Sequence, residues 1–182
     1  MINVKPIACA ALLLTGVASA DRLDINLSEH AAGGEWVTSR LSRELQLSLG
    51  AVHHEDKGDV AWAGVQVEQR QGNFRALIGA RGYYIDTPWR EWSDALALGG
   101  GVVVSLLGDE RLTAGAELWY APSITSGRGA DQLSHATIQL GAKVMDNARV
   151  TVGWREVRTE YKYSDYAHTI DRGLNLGVSL LF

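Results

Sequence analysis

Apolar and polar residues alternate with a period close to two along nearly the whole chain after residue 20, and helical spacing with helix caps is nowhere sustained. In RLDINLSEH, Leu23, Ile25 and Leu27 alternate with Asp24, Asn26 and Ser28. The pattern returns in ELQLSLGAV, VAWAGVQVEQ, NFRALIGARGYY, ALALGGGVVVSLL, RLTAGAELWY, SHATIQLGAKV, ARVTVGWREVR and the closing GLNLGVSLLF, with EWVTSRLS as a shorter, poorer strand between the first two. The chain therefore reads as all-β and antiparallel.

The connections alternate in length. Short polar turns are expected at QRQGN (69–73), LGDE (107–110) and MDNA (145–148), and longer loops at HHEDKGD (53–59), IDTPWREWS (85–93), APSITSGRGADQ (121–132) and KYSDYAHTID (162–171). Tight turns at one end and loops at the other are the layout of an outer-membrane barrel, with short turns in the periplasm and loops outside. Counting back from a periplasmic C terminus gives eight strands from near Glu44, and residues 22–42 supply a further hairpin turning at AAGG. Ten strands in an up-and-down barrel is the expectation, with eight plus an N-terminal segment as the alternative.

Residue size separates a membrane barrel from a soluble one. The apolar face carries Ala61, Ala63, Ala76, Ala80, Ala114, Ala116, Ala136 and Ala142 among Leu, Val and Ile, and Phe occurs only twice in the chain. A packed interior needs bulk to reach native density, whereas a face wetted by lipid does not. The opposite parity collects Gln46, Glu68, Arg75, Arg81, Arg111, Glu117, Lys143, Arg149 and Arg155, charges expected to line the lumen, together with Gly50, Gly64, Gly79, Gly99, Gly101, Gly115, Gly141, Gly153 and Gly177. Strand glycines mark close backbone approach or strong curvature, as a narrow barrel requires. Pairing of Glu117 with Lys143 or Arg155 would plug such a lumen; unpaired, the same charges would line a small aqueous path.

Aromatic residues fall where membrane boundaries are expected. Tyr84, Tyr120 and Trp154 have outward parity near the loop ends of their strands, Trp89 and Trp92 fall in an expected loop, and Phe182 belongs to the opposite girdle. The last strand carries an outward row of Leu174, Leu176, Val178, Leu180 and Phe182 that closes the barrel against the first strand. Its end, Leu176, Val178, Leu180 and Phe182, resembles the C-terminal β-signal of bacterial outer-membrane proteins. That resemblance implies recognition by the barrel-assembly machinery.

The first residues, MINVKPIACAALLLTGVASA, combine Lys5, an apolar run from Ile7 to Val17 and the small residues Ala18-Ser19-Ala20. They read as a cleaved signal peptide over 1–20, with the barrel spanning 21–182. The only cysteine, Cys9, lies in that leader, so no disulfide is expected in the mature protein. Without Lys5 the chain has 16 basic against 21 acidic residues, about −5 at pH 7, which disfavours nucleic-acid binding. No stretch after residue 20 approaches the roughly 20 apolar residues of a membrane helix, so spanning would need a closed barrel.

Candidate chemistry is sparse. HHEDKGD brings together His53, His54, Glu55, Asp56 and Asp59, but adjacent histidines at a strand end face opposite ways and no metal-ligand spacing is present. Ser134 and His135 suggest a lipid hydrolase until strand geometry is applied: neighbours on one strand point to opposite faces and cannot act as nucleophile and base together. LGGG and GARG follow no strand-to-helix turn and are strand glycines rather than phosphate loops. No cofactor and no metal are expected.

GDVAWAGVQVE at 58–68, LGGGVVVSL at 98–106, ELWYAPS at 117–123, VTVGWREV at 150–157 and the terminal GVSLLF resemble the YfaZ family of small Gram-negative outer-membrane proteins. The resemblance implies an outer-membrane barrel, sometimes labelled porin-like, without a catalytic set or a substrate. The expected function is non-enzymatic: a porin-like barrel with a narrow polar lumen or a structural role. A surface-binding module acting through its extracellular loops is the alternative, and an outer-membrane lipid hydrolase a third reading. Expected partners are outer-membrane lipids and lipopolysaccharide, the assembly machinery during biogenesis, and possible small solutes.

Overall fold

The computed structural model describes residues 21–39, 44–88, 90–106, 108, 110–127, 129–161 and 167–182; the expected leader and Trp89 lie outside them. The strands are β1 (Asp21–Leu27), β2 (Ala31–Thr38), β3 (Leu45–His54), β4 (Gly58–Gln71), β5 (Phe74–Thr87), β6 (Arg90–Ser105), β7 (Leu112–Ala121), β8 (Ser126–Gly127), β9 (Ala130–Met145), β10 (Ala148–Tyr161) and β11 (Ala167–Leu181). Apart from the two-residue β8, which covers only the upper edge of β6, successive strands pair antiparallel, β7 with β9 included, and β11 pairs back to β1, so ten strands close into a barrel. Closure removes the open sheet edges that a bilayer would not tolerate.

The first and last strands meet from Arg22↔Leu181 to Leu27↔Leu176, and Asp21 and Phe182 exchange both backbone hydrogen bonds. The C terminus is therefore held in the ladder, as the alternation of GLNLGVSLLF requires. Two expectations about the connections need correction. The first hairpin does not turn at AAGG: Ser28 accepts from the Ala31 amide through its Oγ and donates its own amide to the Ala31 carbonyl, so the turn is Glu29-His30, and Ala31–Gly34 begin β2. Two of the expected long loops are mostly strand. β3 runs through His54 and β4 starts at Gly58, whose φ of 100° serves the tight turn, while β5 and β6 continue to Thr87↔Arg90. Polar side chains hid these strand ends, because above the membrane the outward face of a strand meets water and loses its apolar residues.

The outward face changes chemistry at one level around the barrel. Tyr84 gives way to Asp86 on β5, Ala61 to Asp59 on β4, Leu96 to Asp94 on β6, Trp154 to Glu156 on β10 and Leu174 to Arg172 on β11. Below that level the outward residues are apolar and bare, with Ile78 71% and Leu174 74% exposed. So large an uncovered apolar band on a single folded chain needs a nonaqueous neighbour. Leu140→Arg, in the middle of the outward row of β9, is expected to destabilise the barrel by about 2–4 kcal/mol in a bilayer, read as a lowered urea midpoint.

Candidate functional site: the barrel interior

Inward positions form two regions. In the extracellular half, Val52, Val60, Ile85, Ala97, Trp119, Ala121, Leu133, Val157 and Ile170 have 0–1% exposure and pack as one apolar cluster with Trp62 and Tyr83. β3 to β7 and β9 to β11 each contribute to it, so side chains from opposite walls meet across the axis. The periplasmic half is polar. It holds cavities of about 60 and 30 Å³ that share Arg22, Asp24, Glu117, Gln139, Thr151 and Ser179 as lining residues.

Arg81 links the halves. Its Nη2 donates to Glu35 Oε1 at 2.8 Å and to Glu117 Oε2 at 3.4 Å, and the side chain is 2% exposed. The carboxylates are held in turn by indole donors: Trp62 Nε1 to Glu35 Oε1 at 3.1 Å, and Trp119 Nε1 to Glu117 Oε2 at 3.2 Å. The guanidinium carbon lies 4.0 Å from the centre of the Trp119 ring and 5.8 Å from that of Trp62, a cation-π arrangement on top of the ion pairs. Two glycines make room for the indoles. A Cβ at Gly50 would strike the Trp62 ring, and one at Gly99 would meet both Trp119 and the Leu118 carbonyl.

A second buried pair joins β10 to the barrel closure. Arg155 Nε donates to Asp171 Oδ2 at 2.6 Å, both side chains being 5% exposed, and Arg155 Nη1 donates to Asn26 Oδ1 on β1. Asp171 reaches Arg155 from the inward parity it shares with Gly173 and Asn175, and the ladder slips just beyond it, between Val157↔Asp171 and Arg158↔Thr169. The bulge leaves Ile170 as an extra residue, and both Ile170 and Asp171 point inward. Tyr83 Oη lies 3.0 Å from His135 Nδ1, with His135 edge-on to Trp62 at 5.2 Å.

The expected lumen charges thus separate. Arg81, Glu117 and Arg155 lie deep, but Glu117 meets Arg81 rather than Lys143 or Arg155. Glu68 accepts from Gln46 at 3.1 Å lower down, where Arg75 and Arg149 line the smaller cavity. Arg111 is exposed in the turn before β7, and Lys143 pairs with the exposed Asp146 at the periplasmic rim, 3.1 Å away. Tyr84 and Tyr120 face outward, Trp154 is half-buried on the same face, and Trp92 sits in β6 rather than a loop, stacked on Tyr84 at 5.5 Å. Leu176, Val178, Leu180 and Phe182 form the outward row at the closing strand.

Sequence reasoning passed over Glu35, Trp62, Trp119, Asn26 and Asp171. The first lay in the poorest strand and the last in an expected loop; a Trp on inward parity facing a Gly on the neighbouring strand was the available signal. His53 is held by Asp59 at 2.6 Å, and no group of three His, Cys, Asp or Glu able to hold a metal occurs among the described residues. Ser134 lines a shallow pocket with Tyr120, Gln132, Arg158 and Glu160, while His135 is 4% exposed among the interior aromatics. The two share no site.

A closed ten-stranded antiparallel wall, apolar outside and charged within, defines a transmembrane β-barrel of the outer-membrane type. The family model described as YfaZ precursor matches residues 2–182, and the chain belongs to the YfaZ family. It is 26% identical over 138 residues to the outer membrane protein YfaZ of Escherichia coli (strain K12), covering 76% of this chain and 75% of that relative. A solved chain from work on the in-meso crystallization of membrane proteins aligns with a TM-score of 0.46 at 8% identity, over 90% of this chain and 83% of that one, a likeness too low to bear on function. The protein is an outer-membrane β-barrel, and its place is the bacterial outer membrane.

Proposed function

We propose that this protein is a non-enzymatic barrel, porin-like in architecture but closed to solutes, with a structural role in the outer membrane. The observation that carries the reading is the apolar cluster of the extracellular half, in which Val60, Ala97, Ala121, Leu133, Val157 and Ile170 are fully buried. An aqueous path needs a continuous polar channel, and small barrels are ordinarily filled by their side chains. Below the cluster, the Glu35–Arg81–Glu117 bridge joins β2, β5 and β7 across the lumen, so the interior acts as a brace. The lipid and lipopolysaccharide of the membrane would wet the apolar band, and the row ending at Phe182 would serve assembly. A loop-binding role has less support, since two of the loops it would use are largely strand.

Single-channel recording in a planar bilayer tests the proposal. The protein purified from outer membranes, folded by the criterion of a heat-dependent gel shift, is expected to give no conductance steps. Reproducible steps that change on Glu117→Gln would overturn it and establish a pore past Arg81.

A further inference from the structure

With the extracellular half closed, the polar half of the lumen is a pocket entered from the periplasmic turns. We infer that this pocket binds a small oxyanion, a carboxylate or a phosphate, through Arg75 and Arg149. Three guanidiniums and three carboxylates line it, but their hydrogen bonds are unequally shared. Of the carboxylates lining it, Asp24 is paired with Arg22 at 2.7 Å, Glu117 is held by Arg81 and Trp119, and Glu68 accepts from Gln46. Arg75, half-buried on β5, makes no hydrogen bond and no ion pair among the described residues. Arg149, on β10, has one side-chain hydrogen bond, from Nη2 to the Glu110 carbonyl at 3.1 Å, while its Nε is buried without a partner.

The two guanidiniums line one cavity together with Arg22, which repels both; Glu68 attracts Arg75 and Asp24 attracts Arg149 through space, yet neither carboxylate hydrogen-bonds to them. Donors left over in one enclosed polar space, above all a buried N–H without a partner, call for an acceptor, either an oxyanion or water. A guanidinium presents a planar fork of N–H groups matched to two oxygens of one oxyanion. Two other basic residues of that rim are already paired, Arg70 with Glu110 and Lys143 with Asp146.

Titration of the detergent-purified protein with inorganic phosphate and, separately, with acetate at constant ionic strength tests this, with heat release and the midpoint of the heat-dependent gel shift as readouts. Saturable binding of either anion, weakened about tenfold or more by Arg75→Gln and unchanged by Arg158→Gln on the outer wall, is the expected result. Phosphate alone or acetate alone names the oxyanion and supports the site equally. If Arg75→Gln does not fold, Arg149→Gln carries the same expectation. No saturable binding of either anion, or binding that the Arg75 and Arg149 variants leave intact, overturns the inference. Conductance decides the closed lumen independently, so the two ideas can fail separately.

Discussion

Arg81→Leu is expected to destabilise the folded barrel by about 3–5 kcal/mol, the range for removing one partner of a buried ion pair. The loss would exceed that of a single hydrogen bond because two carboxylates depend on this guanidinium. With Arg81 gone, Glu35 and Glu117 would face each other across the lumen, each with one indole donor left. Arg81→Lys is expected to recover only part of the loss. An ammonium can serve as a point charge between the carboxylates but lacks the planar face that lies against Trp119. Glu35→Gln combined with Arg81→Leu should be milder than Arg81→Leu alone, since it removes one of the stranded charges. Urea unfolding in lipid bilayers, followed by the heat-dependent gel shift, measures all three. An Arg81→Leu variant as stable as the parent would mean that water in the adjoining cavity solvates both carboxylates.

Trp119→Ala is expected to cost about 3–5 kcal/mol, as large-to-small replacements of buried aromatic residues do. Trp119 is 1% exposed, belongs to the apolar cluster and also touches the ion-pair brace through its Nε1 and its ring face. Its bed on β6 is Gly99, which has no side chain to move into the space the ring would leave. Trp119→Phe separates the two contributions: most of the packing returns while the N–H to Glu117 does not, and a cost of about 1–3 kcal/mol remains from the unsatisfied acceptor. The same unfolding series provides the check. A Trp119→Ala cost below that of Trp119→Phe would contradict the packing account.

These two residues also mark how far the sequence could be read. Arg81 was legible as an inward charge from its parity alone, because a strand has only two faces and the alternation in NFRALIGARGYY assigns each residue to one of them. Its partners were not legible. Glu35 and Glu117 lie 46 and 36 residues away in the chain, and which charges meet inside a barrel depends on the stagger of every intervening strand. The expected pairing of Glu117 with Lys143 failed for that reason: parity was correct, but Lys143 sits at the periplasmic rim beside Asp146.

The strand ends were misread in the same direction. Tyr83-Tyr84-Ile85-Asp86-Thr87 continues as β5 past the level where Asp86 replaces an apolar outward residue. A rule that ends strands where apolar alternation ends therefore ends them at the membrane surface rather than at the turn. Asp171 shows the limit from another side. It is inward by alternation with Asn175, yet it was assigned to a loop, and the bulge beside it turns its neighbour Ile170 inward as well.

The sequence by itself determined the class of the protein. A period of two with lipid-tolerant small residues on one parity and charges on the other leaves a closed membrane barrel as the architecture that satisfies every backbone group in a bilayer. Tertiary structure alone decided how the lumen is filled and which of its charges meet. Closure brings inward residues from distant strands together: Trp62 and Trp119 flank Arg81, Val60 joins Ile170 in the apolar cluster, and Arg75 and Arg149 share a cavity without hydrogen bonds to its carboxylates. The physical reason is that alternation is a local property of each strand. Contact across a barrel depends instead on register, bulges and stagger around the whole ring.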